Sequence, residues 1–226
     1  MAQVFFTGDT HYHHKNICRG SSNWSNKDSC RDFELLQHMD DALADGINSV
    51  VESGDILFHL GDYSFGDPMY YRDFRSRINC GNVYLIYGNH DEWIIQNNYD
   101  LQSLFTDVGF YREATISGQK IIMSHYAFRV WNHSHRGSWM LHGHSHGTLQ
   151  PSICGDVVHE LVNKKRYDEL HLLADGRHPK VHPNGKVMDV GVDTHPEFRP
   201  YSFDEIQQIM SKREIAYVDN HKGAEW

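Results

Sequence analysis

The sequence predicts an α/β fold in which two β-sheets pack against each other, and three observations carry that prediction. Over the first 90 residues, short apolar runs alternate with helical patterns in the order strand, helix, strand, helix, strand. Each run stops at a turn rich in Gly, Asp, Asn or His, as expected for a sheet that places its ligand site at the carboxyl ends of its strands. After Asp107 the helical patterns drop out and apolar runs follow one another, which suggests a second, more antiparallel sheet lying on the first. With 226 residues the chain is long enough for one sizeable core, so residues 1–226 are taken as a single domain.

Element by element, Gln3 to Thr7 reads as a buried strand stopped by Gly8-Asp9, and Thr10 to Ser29 as a polar loop. From Arg31 to Glu52, Leu36, Met39, Leu43, Ile47 and Val50 recur at spacings of three and four, the stripe of a one-sided helix. Ile56 to Leu60 forms a second strand ending at Gly61-Asp62. Pro68 suits the first turn of a helix running to about Arg77, because proline there loses no needed donor. Val83 to Tyr87 forms a third strand before Gly88-Asn89. Tyr111 to Ile116 and Lys120 to Ser124 read as a hairpin around Ser117-Gly118-Gln119, with further strands at Ser138 to His142 and Val187 to Val192. The stretch 155–185 reads as an excursion from the core, with a short helical patch at Glu160 to Leu173. Ser202-Phe203-Asp204-Glu205 has capping-box spacing and starts a last helix reaching about Lys212.

Composition narrows the function classes. Hydrophobic residues make up 39% and charged residues 23%, the balance of a globular protein, and no apolar run approaches a membrane span. The opening Met1-Ala2-Gln3-Val4-Phe5-Phe6 has no basic region before its apolar run, which argues against a secretory signal and makes the cytoplasm the expected compartment. A net charge of -9 without a basic block disfavours long duplex nucleic acid as the main partner, while leaving open a nucleotide-sized or strand-end substrate whose charge bound cations would offset. Cys18, Cys30, Cys80 and Cys154 show no metal or redox spacing and read as reduced structural thiols. The outlier is histidine, with 18 copies.

Spacing decides what those histidines do. Asp9-Thr10-His11, Gly61-Asp62, Gly88-Asn89-His90-Asp91, His125 and Gly143-His144-Ser145-His146 each follow an apolar run. Taken singly, Asp-x-His also describes a helix cap, Gly-Asp an ordinary turn, and paired histidines a metal-free cluster. Together, Asp9, His11, Asp62, Asn89, His125, His144 and His146 offer carboxylate, imidazole and amide oxygen, with Asp62 the natural bridge between two cations. A mixed nitrogen and oxygen set suits Mn or Fe, with Zn, Co or Ni as alternatives, better than Mg or Ca.

This set of motifs, with the tracts His59 to Gly66 and Trp131 to Trp139, resembles the calcineurin-like metallophosphoesterase family, in particular its small bacterial and phage members. The match covers roughly residues 3 to 150 and resumes at Met188 to Asp193; the stretch 155–185 is longer than expected for those members and would be an insertion, lid, specificity element or assembly surface. The resemblance implies a four-layer α/β/β/α sandwich of two mixed sheets flanked by helices. It also implies that Asp9, His11 and His146 hold one divalent ion, that Asn89, His125 and His144 hold the other, and that Asp62 bridges them. His90 would face the substrate phosphate, with Asp91 orienting it. The implied activity is hydrolysis of a phosphomonoester or phosphodiester of a small substrate, including nucleotides. A nuclease or end-processing enzyme and a non-catalytic scaffold are the alternatives.

Rim residues complete the expectations. His13, His14, Asn16 and Arg19 follow the first motif in a loop and are placed to touch substrate. Arg129 and Arg136 flank a tract between two ligand-bearing strands, where a guanidinium could clamp a phosphate. Trp131, Trp139 and Tyr63 are candidates for stacking on a base or for core packing, and His133, His135 and His142 for supporting roles.

Overall fold

The computed structural model describes residues 2–91, 95, 98–149 and 185–215. Strands β1 (Val4–Thr7), β2 (Ile56–His59) and β3 (Asn82–Ile86) run parallel and in step, with Val4 opposite Ile56 and Ile56 opposite Asn82. β4 (Asp107–Gly109) extends the sheet beyond β3 in the same direction. The two-residue β9 (Tyr201–Ser202) closes the other edge antiparallel to β1. The second sheet has the order β5 (Tyr111–Ile116), β6 (Gln119–Ser124), β7 (Trp139–His142), β8 (Val187–Asp189). Only its hairpin β5–β6 is antiparallel, and β6, β7 and β8 run parallel, so this sheet is mixed rather than predominantly antiparallel.

Alternation along each strand builds two cores from one sheet. Phe5, Leu57, Val83 and Leu85 face α1 (Leu36–Asn48) and α2 (Pro68–Arg77), where they meet Met39, Leu43, Ile47, Tyr71 and Phe74. Their neighbours Phe6, Phe58 and Ile86 face the second sheet and pack on Ile121, Met123, Trp139, Leu141 and Met188. The two mixed sheets with flanking helices are the α/β architecture expected.

Helix ends follow local chemistry. Asp67 caps α2 by accepting from the Met69 amide, with Pro68 in the first turn. Asn98 accepts from the Leu101 amide at the start of a short α3 (Tyr99–Gln102). The Ser202/Glu205 capping box is formed at the start of α4 (Phe203–Ser211), which tucks Ile206 and Met210 into the inter-sheet core. α1 begins five residues later than the sequence pattern suggested, because Arg31 turns inward to an ion pair with Asp193 instead of entering the helix.

Cys18, Cys30 and Cys80 are buried free thiols, whereas Cys154 and the expected excursion at 155–185, with its patch at Glu160 to Leu173, fall outside the described residues apart from Gly185. Among the described residues no helix is long and apolar enough to cross a membrane.

Candidate metal centre

Parallel, in-step strands bring their ends to one level, and the motif turns meet there. Asp9 follows β1, Asp62 follows β2, and Asn89 and His90 follow β3; from the second sheet, His125 follows β6, and His144 and His146 follow β7. The turns are stitched to each other: the Asp9 amide donates to the Gly61 carbonyl (2.8 Å), the His11 amide to the Asp62 carbonyl (2.8 Å), and the Gly143 amide to the His125 carbonyl (3.1 Å). Across the two sheets, the His144 amide donates to Asp9 Oδ1 (2.8 Å).

Five of these side chains sit on left-handed backbone: Asp9 (φ 53°), His11 (46°), Asp62 (53°), His144 (67°) and His146 (47°). Non-glycine residues avoid this region, and clusters of them mark sites where surrounding structure holds an unfavourable geometry for a purpose. Gly88 serves the same crowding differently. A Cβ there would stand 2.1 Å from Asp62 Oδ1 and 2.3 Å from the Asp62 nitrogen, so only glycine lets the third turn approach the second.

The donor atoms converge in two main groups, linked by a third that contains Asp62 and His11. Asp9, His11 and His146 form one, and Asp62, His125 and His144 the other; a further grouping joins His11, Asp62 and His90. Asp62 Oδ2 lies 3.4 Å from His11 Nε2 and 3.5 Å from His125 Nε2, between the two groups. The side-chain oxygen of Asn89 lies 3.0 Å from His125 Nε2 and 3.0 Å from His144 Nδ1. His11 Nε2 and His146 Nε2 face each other at 3.3 Å.

Proton counting shows what this arrangement lacks. His125 Nδ1 is 2.8 Å from the Leu60 carbonyl, which can only accept, so the proton is on Nδ1 and a neutral ring offers a bare Nε2 to Asp62. His146 Nδ1 is likewise committed to Asp193 Oδ2 at 2.6 Å, leaving Nε2 bare toward His11. Lone pairs thus meet lone pairs unless a proton or a cation lies among them.

The electrostatics state the same conflict. Burial pushes the Asp9 carboxyl up to about 7 against the pull of His146 and His125, and Asp9 Oδ2 is buried without a hydrogen-bond partner. Burial drives His11 well below its ordinary value. His125 rises to about 9, since its hydrogen bond to Asp62 and the charges of Asp62 and Asp9 outweigh its burial. Asp62 falls below the carboxylate range: burial opposes ionisation, but His125 and His11 prevail. Carboxylates and imidazoles oriented in this way, with an orphaned carboxylate oxygen, fit divalent cations.

The neighbours sort into those near the donors and those elsewhere. His90 is half-buried, its ring 5.2 Å from that of His11 and 5.2 Å from Phe65, and its amide donates to Asp62 Oδ1 (2.9 Å). Asp91 does not orient the His90 ring through its carboxylate as expected. It is fully buried and accepts from the Gly88 amide (3.0 Å), the Tyr63 amide (3.0 Å) and the Tyr71 hydroxyl (2.9 Å), so it braces the turn that carries His90. Its carboxyl, raised to about 7 by burial and the nearby Asp62 charge, belongs to the same crowded electrostatics. His14 packs on Phe65 and lies edge-on to His11 and His90, with burial lowering it to about 4.

Other rim candidates have different settings. Arg19 pairs with Asp32 at 2.9 Å, and Asn16 caps local loop structure by accepting from the Asn23 amide. His13 stacks on Tyr70 and bonds to Asp40. Arg129 and Arg136 are exposed. Tyr63 and Trp139 are core residues with no face free for a base, whereas Trp131 is partly buried and donates its indole N–H to Ser138. His142 is buried, with Nδ1 2.8 Å from the Gly143 carbonyl. Sequence reasoning gave no role to Arg31 or Asp193, the largely buried pair behind His146; the only sign was that Asp193 closes the tract Met188 to Asp193.

No family model matches the sequence, and no curated protein matches it. Among solved structures, a protein of unknown function from Aquifex aeolicus is 20% identical with a TM-score of 0.56, covering 92% of this chain and 100% of that one. An archaeal phosphodiesterase is 18% identical with a TM-score of 0.40 over 68% of this chain and 79% of its own. Yfce, a phosphoesterase from E. coli, is 13% identical with a TM-score of 0.37 over 84% of this chain and 78% of its own. The likeness to the Aquifex protein is one of fold.

Proposed function

We propose that this protein is a metal-dependent phosphoesterase acting on a small phosphomonoester or phosphodiester, nucleotides included. The observation that carries the reading is Asp62 Oδ2 standing 3.4 and 3.5 Å from the Nε2 atoms of two histidines that belong to separate donor groups. In this reading Asp9, His11 and His146 hold one divalent ion, Asn89, His125 and His144 the other, and Asp62 both. Bound there, the ions supply Lewis-acid charge for phosphoryl oxygens and acidify a water so that it ionises near neutral pH.

The protein's own groups do the rest. The Leu60 carbonyl and Asp193 hold the protons of His125 and His146 on Nδ1, so each Nε2 points into the site. His90, half-buried beside His11, is the residue placed to hand a proton to the departing ester oxygen, and its bond to Asp62 keeps that turn in register with the donors. Asp91 holds the His90 turn from behind. Phe65, partly exposed, and His14 pack on each other beside the His90 ring.

The test is hydrolysis of nitrophenyl phosphate and bis-nitrophenyl phosphate by EDTA-stripped protein before and after Mn²⁺ is restored, with metal content measured in parallel. The expected result is activity that returns with two equivalents of Mn²⁺ and is lost, together with bound metal, in Asp62→Asn. Full metal occupancy in Asp62→Asn refutes the shared-carboxylate assignment; no hydrolysis of either ester refutes the activity.

A further inference from the structure

We propose that Arg31 and Asp193 form a strut that fixes the His146 imidazole and the Asp9–His11 turn as one unit, making Asp193 the positioning residue of the Asp9, His11, His146 group. This inference rests on the metal-dependent reading above and assigns work to two residues outside its donor set.

The geometry of the strut is closed at both ends. Asp193 Oδ2 accepts from His146 Nδ1 at 2.6 Å. Arg31 grips both oxygens of the same carboxylate, Nε to Oδ1 at 2.8 Å and Nη2 to Oδ2 at 2.9 Å, the two-pronged arrangement that guanidinium geometry favours. The same guanidinium donates from Nη1 to the Thr10 carbonyl (2.7 Å) and from Nη2 to the Asp9 carbonyl (2.5 Å). One planar cation therefore touches the backbone of the turn bearing Asp9 and His11 and, through one carboxylate, the ring of His146.

Its surroundings leave little room for other arrangements. The Arg31 side chain is 5% exposed, and its guanidinium carbon lies 5.2 Å above the Phe198 ring. Asp193 is delivered by backbone as well: the Val192 amide donates to the Gly8 carbonyl at 2.9 Å, next to Asp9. A largely buried ion pair serving only to stabilise the fold has no reason to end on a ligand imidazole at one side and on two consecutive carbonyls of a ligand turn at the other. An anionic acceptor on Nδ1–H fixes the tautomer and the ring plane and makes Nε2 a better donor, an effect whose removal costs about 10- to 100-fold in metal affinity.

Calorimetric titration of the EDTA-stripped chain with Mn²⁺, and visible absorption of the Co²⁺-loaded chain, test the proposal in wild type, Asp193→Ala, Asp193→Asn and Arg31→Lys. For Asp193→Ala the expected result is one of two binding events weakened by about 10- to 100-fold with the other unchanged, and a shifted absorption band for one Co²⁺ only. Asp193→Asn keeps an acceptor without the charge and falls between Asp193→Ala and wild type; Arg31→Lys keeps the charge without the fork and does the same. Equal weakening of both events, with a lowered melting midpoint, marks a general loss of packing and overturns the strut, as does an unchanged first event. A wild type that binds two ions alongside an indifferent Asp193→Ala refutes the strut alone, whereas a wild type that binds none refutes the metal centre with it.

Discussion

Replacing Asp9 by Asn should stabilise the metal-free protein at neutral and alkaline pH while abolishing its tight metal binding. Asp9 is fully buried, one of its oxygens accepts a single amide hydrogen bond, and the other has no partner. Burial raises the carboxyl from 3.8 to about 7. At about 1.4 kcal/mol per pH unit, a carboxylate so displaced costs the metal-free fold about 4 kcal/mol once ionised. The sign follows from the direction. Because the folded pKa is the higher, the folded state favours the protonated group; its contribution is intact below about 4, declines as pH rises, and is gone above about 7. Asn is neutral throughout and keeps the oxygen that accepts from His144. Urea denaturation of EDTA-treated wild type and Asp9→Asn at pH 4, 5, 6, 7 and 8 should show a gap that widens in favour of the variant to about 4 kcal/mol and levels off above pH 7. With Mn²⁺ present the order should reverse, because wild type gains binding energy that the variant lacks. A gap that is constant with pH, or that favours wild type without metal, would refute the account of a buried carboxylate held against its preference until a cation neutralises it.

Three further outcomes follow from the same geometry. His90→Ala should leave metal content intact and lower turnover by about 10² to 10⁴ on an alkyl ester, with a smaller loss on nitrophenyl esters; equal losses on both would exclude proton donation to the leaving oxygen. His144→Gly should melt about 2 to 4 °C above His144→Ala without metal, because only glycine relaxes at a φ of 67°; identical midpoints would show that the backbone there is unstrained. Gly88→Ala, whose Cβ would stand 2.3 Å from the Asp62 nitrogen, should cost about 3 kcal/mol in urea denaturation and weaken Mn²⁺ binding by displacing Asp62; wild-type stability would contradict the close approach.

What the sequence made legible was whatever local chemistry writes down. The capping box at Ser202 and Glu205, Pro68 after Asp67, and the apolar stripe of α1 each depend on residues a few positions apart, and each is found in the structure. The donor clusters were legible because a strand end is a local event, and an unusual run of Asp, Asn and His after an apolar stretch stands out. β4 and β9, three and two residues long, carry no periodicity; they exist because β3 and β1 offer open edges. Arg31 was read into α1 by a pattern blind to the fact that its partner lies 162 residues away. Asp91 drew a catalytic role from its adjacency to His90, whereas its three hydrogen bonds run to Tyr63, Tyr71 and Gly88. The rings of Tyr63 and Trp139 offered the same sequence evidence for stacking as for burial, and only the packing of two layers decided for burial.

The donors come from both layers: Asp9, His11, Asp62 and Asn89 from one sheet, His125, His144 and His146 from the other. Every short distance that defines the two groups across that divide, from His125 to Asp62 and Asn89, from His144 to Asn89 and from His11 to His146, therefore measures how the layers are seated. A slip of about 1 Å between the sheets would spoil them together, since coordination tolerates only a few tenths of an ångström. Cations held here would act as rivets through the middle of the molecule, and releasing them and loosening its two halves would be a single event.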